Sequence, residues 1–568
     1  MRETKTGKGK MPWCISLSVL IMQKREHFKG ENDMKKTKFK PLVFILPIIL
    51  LVIAIGASIV SGTSFGEGVT AVNNSLLSSF GWLYSLGVFA ITVAAFVVFF
   101  SPLGKVKIGG RHAKPTVSKK TYFSIVLCSI IGTGMPIWGA AEIIAHYSAP
   151  PASEGLDAFS IAAAKFGMRA VLMDWTFAPY AVYILPAMLM AFAFYNMKAP
   201  FSLGSMLAPL FGEKMNGKPG QIIDAVCIFT LVCGLVTSLA TGSEALLYGM
   251  GQLTGGVISK NAVSMSVLVV LIAATFILSA TTGLKKGITF FSNLNIYIYV
   301  FIMIFVFVVG PTALIMNLGV ESIGSFIANF VPDILNMRAL TGDNWAYWFP
   351  IFYFAIYLAW ALISAVFIAR ISYGFTFRTM LTYSFILPCI FTGAWMLIFS
   401  TTSLQMEMDG LGMAETYAEN YAGVVIKLIQ NLPCSVPIMI IFFLVVFVSF
   451  VTAADSCTNA IAGLCTVGLT TDNTEPPVSL KVFWGCLLGL VALVGSLVLD
   501  LTGIKAICNV GGFPALLIEV LGLFALCKIM VAPQKYDVFK EDYDEYGRPL
   551  PQFEDLMDEN LIEEEASR

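Results

Sequence analysis

The stretch YFSIVLCSIIGTGMPIWGAAEIIAHY (122–147) has the length and apolar character of a membrane-spanning helix, but it carries GTGMP (132–136) at its centre. Glycine weakens a helix, and proline also removes a backbone donor. In hydrocarbon, backbone groups freed in this way are tolerated only where they line a cavity or find other partners, and half-helix ends there can hold ions or a carboxylate. We therefore predict a broken membrane helix at a binding site; a simple kink between packed helices is the alternative.

Apolar runs of similar length recur on both sides of this stretch. Of the 568 residues, 57% are hydrophobic and only 13% are charged, against about 25% charged in ordinary soluble proteins. The predicted spans lie near 41–60, 81–100, 122–147, 176–196, 222–246, 263–282, 294–317, 345–370, 380–400, 434–460, 482–500 and 508–531. The sequence thus predicts an all-α polytopic membrane protein with twelve transmembrane helices.

The distribution of basic residues predicts the orientation of these spans. Lysine and arginine cluster before the first span, within 35–40, and between the second and third, within 105–120. Because positive charge is retained on the cytoplasmic side, both segments are predicted to be cytoplasmic, and the acidic segment 407–419 then falls outside. An even number of spans puts both termini in the cytoplasm, and the pattern fits a plasma membrane.

In this topology spans 3 to 7 and spans 8 to 12 are five-helix units of opposite orientation, which is typical of inverted repeats. Between them, the apolar residues of ESIGSFIANFVPDIL (321–335) share one helical face, which predicts an amphipathic helix along the membrane surface. The predicted segments are a basic cytoplasmic N-terminus (1–40), two peripheral helices (41–101), the first repeat (122–318), the connecting helix (319–344), the second repeat (345–531) and an acidic cytoplasmic tail (532–568). We expect the tail to be solvated and disordered.

Several classes of protein are excluded. The net charge is zero, with 36 basic and 36 acidic residues, so no overall field favours a nucleic-acid partner. Most of the 11 cysteines fall inside apolar runs, where they act as small hydrophobic residues. The chain has no metal-ligand spacing of histidines, no phosphate-binding loop and no nucleophile elbow. We predict neither an enzyme nor a resident cofactor.

Two groups of aromatic residues could hold a cation that has no N–H to donate. Tyr180 and Tyr183 are one helical turn apart, as are Tyr357 and Trp360, so each pair shares a face. Facing aromatic rings bind such a cation with about 0.5 to 2 kcal/mol per contact. Simple packing is the alternative for both pairs, and for Trp175, near a predicted span end, an interfacial anchor is the preferred interpretation.

Five stretches resemble the betaine/choline/carnitine transporter (BCCT) family. They are GTGMPIWGAAEIIAHYSAPP (132–151), DWTFAPYAVY (174–183), GLKKGITFFSNLN (283–295), WFPIFYFAIYLAWALISAVFIARISYG (348–374) and VTAADSCTNAIAG (451–463). The resemblance implies a leucine-transporter-type fold with two extra N-terminal helices, often assembled as a homotrimer. It also implies transport of trimethylammonium compounds by sodium or proton symport or by substrate exchange.

Carried over position by position, the resemblance implies a substrate site and a sodium site. The implied substrate-binding residues are Trp175, Tyr180, Tyr183, Tyr357 and Trp360, with Gly132, Gly134 and Met135 of the broken helix. The implied sodium ligands are Thr133, Met135 and Thr452. The chain departs from the family pattern at Ile356, where members usually have the first Trp of a pair, and at Leu362, where many symporters have Pro. These departures leave the identity of the solute open.

The mode of coupling has three candidates. The neighbour of Thr452 is Ala453, where sodium symporters often have Ser, so the implied sodium site lacks one hydroxyl. Sodium-independent exchangers of the family carry a basic residue where this chain has Asn295, so we favour sodium coupling. Glu142, Glu244, Asp455 and Glu519 are ionisable residues within the spans and functional candidates by default. Glu142 is interpreted as structural, and Glu519 and Asp455 are the candidates for proton coupling.

The sequence therefore predicts a secondary active transporter of a betaine-type quaternary ammonium or related amine, working by alternating access. The alternatives are a sodium-independent exchanger of substrate and product and a proton-coupled symporter. A channel is disfavoured because no filter sequence is present. A sensor is disfavoured because the segments outside the membrane are short.

Overall fold

The computed structural model describes residues 39–61, 63–131, 134–282, 287–470, 475–498 and 501–551. Within these ranges the chain is helical, and β-structure is limited to isolated bridges such as that between Lys107 and Thr376. The cysteines in these ranges are all free thiols. The all-α prediction is confirmed.

The main helices are α1 (Pro41–Ser61), α2 (Thr63–Phe100), α3 (Lys119–Ile131), α4 (Gly134–Ser148), α5 (Ile161–Trp175), α6 (Phe177–Ala191), α7 (Lys218–Leu253), α8 (Ala262–Thr281), α9 (Thr289–Val309), α10 (Thr312–Ile334), α11 (Pro350–Ile371), α12 (Leu387–Met408), α13 (Met413–Glu419), α14 (Gly423–Gln430), α15 (Ser435–Cys465), α16 (Val478–Val498) and α17 (Leu501–Val531). Short helical turns, such as Trp345–Trp348 before α11, connect them.

Among the described residues, 11 helices are long and apolar enough to cross a membrane, and the bent pair α3–α4 would make 12. Predicted spans 2 to 12 each coincide with one of these helices or with the bent pair. The first predicted span corresponds to the shorter apolar helix α1. The remaining long helix is α10, which begins before the predicted connecting helix and exposes the apolar residues Val320, Ile327 and Val331.

The broken helix is confirmed at the predicted place. The axes of α3 and α4 differ by 58°. Gly132 and Thr133, on which the prediction rested, lie outside the described residues, whereas Gly134 begins α4. The second half of the span therefore starts inside the protein, with the side chain of Met135 only 1% exposed.

The fourth span is longer than predicted, and this changes the interpretation of Trp175. A span was predicted over 176–196, but the helical segment runs over Ile161–Asn196. It is interrupted at Thr176, whose backbone torsions of −114° and −96° are not helical. The charged residues Lys165 and Arg169 lower the hydropathy of its first turns, so these turns were not included in the predicted span. Trp175 thus lies at an internal break and is buried, so the preferred interpretation as an interfacial anchor was wrong.

Helix α11 is the central element. It packs against α6, α7, α15 and α17, and all of its side chains are buried except Ile356, which is partly exposed. A helix that is apolar on every side is expected only where neighbours surround it. The aromatic residues Tyr353, Tyr357 and Trp360 are therefore fixed by packing from several directions.

Loops that were predicted to be cytoplasmic lie together at one face. The N–H of Ile108 donates to the carbonyl of Phe375 (2.9 Å), and Arg370 pairs with Glu475 (3.1 Å). The Nζ of Lys40 donates to the carbonyl of Phe201 (2.7 Å). These contacts join the ends of spans 1, 2, 4, 8 and 10, in agreement with the predicted alternation.

The first part of the C-terminal tail is docked on the same face, which corrects the expectation of a disordered end for 532–551. Asp542 pairs with Arg111 (2.6 Å), and Oδ2 of Asp537 accepts hydrogen bonds from Asn196 (2.9 Å) and Tyr543 (2.8 Å). Burial raises the pKa of the Asp537 carboxyl. Acidic composition alone misses this docking because the segment also carries the ring of Phe539, which packs on Gly110.

Candidate functional site

The five aromatic residues that were predicted to bind the substrate cation are called the cage below. They come from three helices that meet beside the start of α4, and they are Trp175, Tyr180, Tyr183, Tyr357 and Trp360. Trp175, at the end of α5, and Tyr357, on α11, form an edge-to-face pair with ring centroids 6.2 Å apart. The hydroxyl of Tyr357 donates to the carbonyl of Asp174 (2.9 Å), which ties the two helices at this point. The indole of Trp175 also covers Gly134, where a Cβ would lie 2.9 Å from Cη2. The broken helix and the aromatic group are therefore one site.

Tyr180 and Tyr183 lie on the first turns of α6, close to Tyr357, and both are buried. The hydroxyl of Tyr180 is hydrogen-bonded to Thr392 of α12. The non-helical residue Thr176 separates Trp175 from these two tyrosines, yet all three lie near Tyr357. The structure thus brings together four of the five predicted aromatic residues.

Trp360 is oriented differently. Its indole edge contacts Gly234 of α7, where a Cβ would lie 2.7 Å from Cδ1, and it makes no ring contact with the other four residues. Ile356 does not face Trp175; it packs with Phe352, Ala359 and Cys508, toward α17. The departure from the family pattern at Ile356 therefore does not affect the contact between Trp175 and Tyr357.

Glu142 of α4 anchors the aromatic group from behind. Its Oε2 accepts hydrogen bonds from Nε1 of Trp175 and from the hydroxyl of Tyr353, both 2.6 Å long. Tyr353 stacks near Tyr357, with ring centroids 6.2 Å apart. The carboxylate thus fixes rings on two different helices, which agrees with the structural role predicted for it and shows that this role serves the site.

Two further groups, which the sequence analysis did not single out, adjoin Glu142. His146 lies one turn along α4, and Asp174 precedes Trp175. One ligand atom from each of the three residues lies within 4.8 Å of the others, and all three side chains are fully buried. The i, i+4 spacing of Glu142 and His146 and the charged residue beside Trp175 were the available signals.

A cavity of about 390 Å³ lies at the ends of α2, α11 and α17 on the opposite face from the docked tail. It is lined by Asn73, Asn344, Trp348, Phe352, Lys505 and Asn509 among others. The ammonium of Lys505 lies 4.6 Å from the ring centroid of Phe352 and 5.1 Å from that of Trp348. The ring centroids of Phe352 and Tyr353 are 5.6 Å apart, so the cavity approaches the aromatic group from that side.

Of the three implied sodium ligands, Thr452 lies where α3 and α15 pack. The hydroxyl of Thr452 is 3.4 Å from the carbonyl of Cys128, near the end of α3, and 3.0 Å from that of Ser449. The hydroxyls of Ser129 and Ser456 are 2.9 Å apart beside them. Several buried oxygens thus lie together beside the last turn of α3, and oxygen ligands of this kind fit a sodium ion. Thr133 lies outside the described residues, and no contact of Met135 with this group is seen.

The other ionisable candidates differ in their surroundings. Oδ1 of Asp455 accepts a hydrogen bond from Asn459 (2.6 Å), and Oδ2 accepts one from Ser279. Glu519, on α17 near Tyr183, is buried, and neither of its oxygens has a hydrogen-bond partner among the described residues. Glu244 pairs with Lys260 (2.8 Å) near the end of α7, so it lies closer to the surface than the sequence indicated.

Comparisons with known proteins show which family the chain matches. The family model of the betaine/carnitine/choline family transporters matches residues 42–535. The glycine betaine transporter OpuD of Bacillus subtilis is 30% identical over 492 residues, which cover 86% of this chain and 93% of that protein. The ectoine/hydroxyectoine transporter of Virgibacillus pantothenticus is 27% identical over 508 residues, covering 88% and 98%.

Among solved structures, the chain aligns with a Na⁺-coupled sialic acid symporter at a TM-score of 0.43 and 13% identity, covering 78% of this chain and 87% of that one. The family match extends from α1 to beyond α17 and includes the broken helix and both aromatic groups. The chain therefore belongs to the betaine/carnitine/choline transporter family and is a transporter, not an enzyme.

Proposed function

We propose that this transporter moves a betaine-type quaternary ammonium, or a closely related amine, across the plasma membrane by alternating access. The observation that carries the proposal is the contact of Trp175 and Tyr357 beside the start of the broken helix. Aromatic faces attract a cation that cannot donate a hydrogen bond, and a helix that begins inside the membrane directs backbone N–H groups at an anion. Together these features suit a zwitterion with a methylated ammonium and a carboxylate.

We further propose that inward sodium drives transport. The carbonyl of Cys128 and the hydroxyl of Thr452 would bind the ion, and the two oxygens belong to helices of different repeats, so the ion would hold α3 against α15. Asn295 supports this choice over exchange, because its amide donates to Ser449 (2.9 Å) and supplies no positive charge at this position.

The test of this proposal is the uptake of labelled glycine betaine and carnitine into empty proteoliposomes at fixed pH, with and without an inward sodium gradient. Uptake that requires sodium is the expected result, and Thr452→Val should abolish it while leaving protein levels unchanged. Uptake that requires vesicles preloaded with a trimethylammonium compound would establish an exchanger instead. Failure with both solutes under either condition would reject these betaine-type substrates.

The cage is tested by removing its rings. Tyr180→Leu and Tyr183→Leu are each expected to weaken substrate binding by about 2- to 30-fold without lowering the amount of folded protein, since each removes an aromatic face worth about 0.5 to 2 kcal/mol to a cation. Tyr84→Leu is the matched control, because Tyr84 is equally buried but lies on the peripheral helix α2. Wild-type binding in both cage variants would reject this set of residues.

A further inference from the structure

The cluster of Glu142, His146 and Asp174 lies directly behind the cage and contains more polar atoms than hydrogen bonds. All three side chains have no exposed surface. Oε1 of Glu142, Nε2 of His146 and both oxygens of Asp174 have no hydrogen-bond partner among the described residues. Buried polar atoms are nearly always paired. The cluster therefore requires a bound ion or an additional proton that pairs these atoms.

The histidine argues against a metal ion. Nε1 of Trp345 donates a hydrogen bond to Nδ1 of His146 (3.3 Å), so Nδ1 is an acceptor and the ring proton lies on Nε2. Nε2 lies 3.7 Å from Oε1 of Glu142, which is too far for a hydrogen bond. A nitrogen that carries a proton cannot bind a metal, and a ring held in this tautomer is neutral. The two carboxyl groups therefore have no cation within the cluster.

Two adjacent buried carboxylates without a cation do not both ionise, because each charge disfavours the other. The donors decide which group is charged. Oε2 of Glu142 accepts two short hydrogen bonds, from Trp175 and Tyr353, which stabilise a carboxylate. Asp174 accepts none on its side chain from the described residues. A proton on Asp174, donated to Oε1 of Glu142, would pair both groups.

Groups on the surrounding helices do not replace the proton that the pair of carboxyl groups requires. Lys505, the nearest lysine on α17, lies among aromatic rings, and no lysine or arginine of the described residues forms an ion pair with Glu142 or Asp174. The other titratable groups that face the pair are His146 from α4, Tyr353 and Tyr357 from α11, Tyr417 from α13 and Asp333 from α10. Asp333 is itself paired with Arg169 (2.6 Å).

We propose that Asp174 carries a proton shared with Glu142, and that an ammonium group entering the cage expels this proton to water. The O–H bond of Asp174 breaks, the proton passes to bulk solvent, and one positive charge replaces another beside Glu142. The two carboxyl groups contact the cage directly. Trp175 donates a hydrogen bond to Glu142, and Tyr357 donates one to the backbone carbonyl of Asp174. The inference rests on the proposed function, since it requires an ammonium substrate.

The expected size of the coupling is measurable. A unit charge about 10 Å from the pair, at an effective dielectric constant of about 20, changes the binding constant roughly tenfold. Binding of choline, which carries the ammonium without a carboxylate, should therefore become tighter as the pH rises through the range in which Asp174 loses its proton. Above it, where the proton has already left, the affinity should level off.

The first experiment is infrared spectroscopy of the purified full-length protein at neutral pH, which detects protonated carboxyl groups directly. Asp174→Asn should remove one carboxylic acid band, and Glu519→Gln, which removes a different buried acid, should leave that band in place. Addition of choline to the wild type should reduce the same band. A spectrum that Asp174→Asn does not change would overturn the proposal, whether or not choline binds.

The second experiment measures choline binding by tryptophan fluorescence in a weakly buffered solution that contains a pH indicator. Release of a proton on binding, roughly tenfold tighter binding at high pH than at low pH, and loss of both effects in Glu142→Gln support the proposal. Choline that binds without proton release would contradict it even if Asp174→Asn does not fold. If choline does not bind while the infrared band is present, the shared proton stands and the proposed substrate class fails.

Discussion

Trp175 does two things with one side chain: its ring faces Tyr357, and its Nε1 donates to Glu142. Spacing in the sequence could place the ring near the site but could not reveal the hydrogen bond, because the bond depends on how closely α4 and α5 approach. The same holds for Asp174, whose neighbours on α4 and α11 are distant in the sequence. Contacts between helices are the part of the site that the sequence could not predict.

Trp175→Phe keeps an aromatic face but leaves Oε2 of Glu142 with one donor instead of two. Losing a hydrogen bond to a buried charged group costs about 1 to 3 kcal/mol, so we expect a clear drop in melting temperature. Trp360→Phe is the control, because no hydrogen bond of its indole is seen. An equal loss in both variants would contradict the role given to Nε1.

Among the elements, the broken span was predicted well because glycine and proline weaken a helix in any context. The start of the fourth span was predicted poorly, since Lys165 and Arg169 lower the hydropathy of a segment that tertiary pairing stabilises. Lys165 pairs with Glu321 (2.5 Å) and Arg169 with Asp333 (2.6 Å), both on α10. The charged residues at the start of this element therefore have partners on a neighbouring helix, which a hydropathy count does not register.

Gly134 allows the indole of Trp175 to lie against the first turn of α4. A methyl group at Gly134 would come within 2.9 Å of Cη2, so Gly134→Ala should displace the ring. We expect substrate affinity to fall about 5- to 150-fold while the protein remains folded, because overpacking of this size costs about 1 to 3 kcal/mol.

Gly324→Ala is the matched control for this prediction, since nothing lies within 4 Å of a Cβ added there. That change should be neutral or slightly stabilising, as expected for a helical glycine. Binding of glycine betaine to both variants, followed by tryptophan fluorescence, is the measurement. Unchanged affinity in Gly134→Ala would show that the indole can move without loss.

For the whole molecule, the loops of one face and the segment 532–551 form a continuous layer. Charge distribution predicted which loops share this face, because positive residues follow a simple rule. It did not predict the docking of the tail, which depends on the fit of Phe539 over Gly110 and on the pairing of Asp542 with Arg111. A segment that is acidic overall can still bind when a few of its residues match a surface.

Gly110→Ala should undock this segment. Gly110 has a φ of +82°, and an added Cβ would lie 2.7 Å from the ring of Phe539. Gly255→Ala is the control, because its φ of +61° imposes similar backbone strain but nothing lies within 4 Å of its Cβ. We expect trypsin to cleave after Lys540 several-fold faster in Gly110→Ala than in Gly255→Ala, since cleavage follows the open population. Equal rates would contradict the docking role.

Helix α7 has 36 residues and α2 has 38. At 1.5 Å per residue each is more than 50 Å long, whereas the hydrocarbon core of a bilayer is about 30 Å thick. Both helices must therefore incline or project beyond the core, and their inclination responds to the thickness of the surrounding lipid. Because Trp360 contacts Gly234 of α7, a change in the inclination of α7 would be passed to the central helix α11, and we expect the transport rate to depend on the acyl-chain length of the lipid.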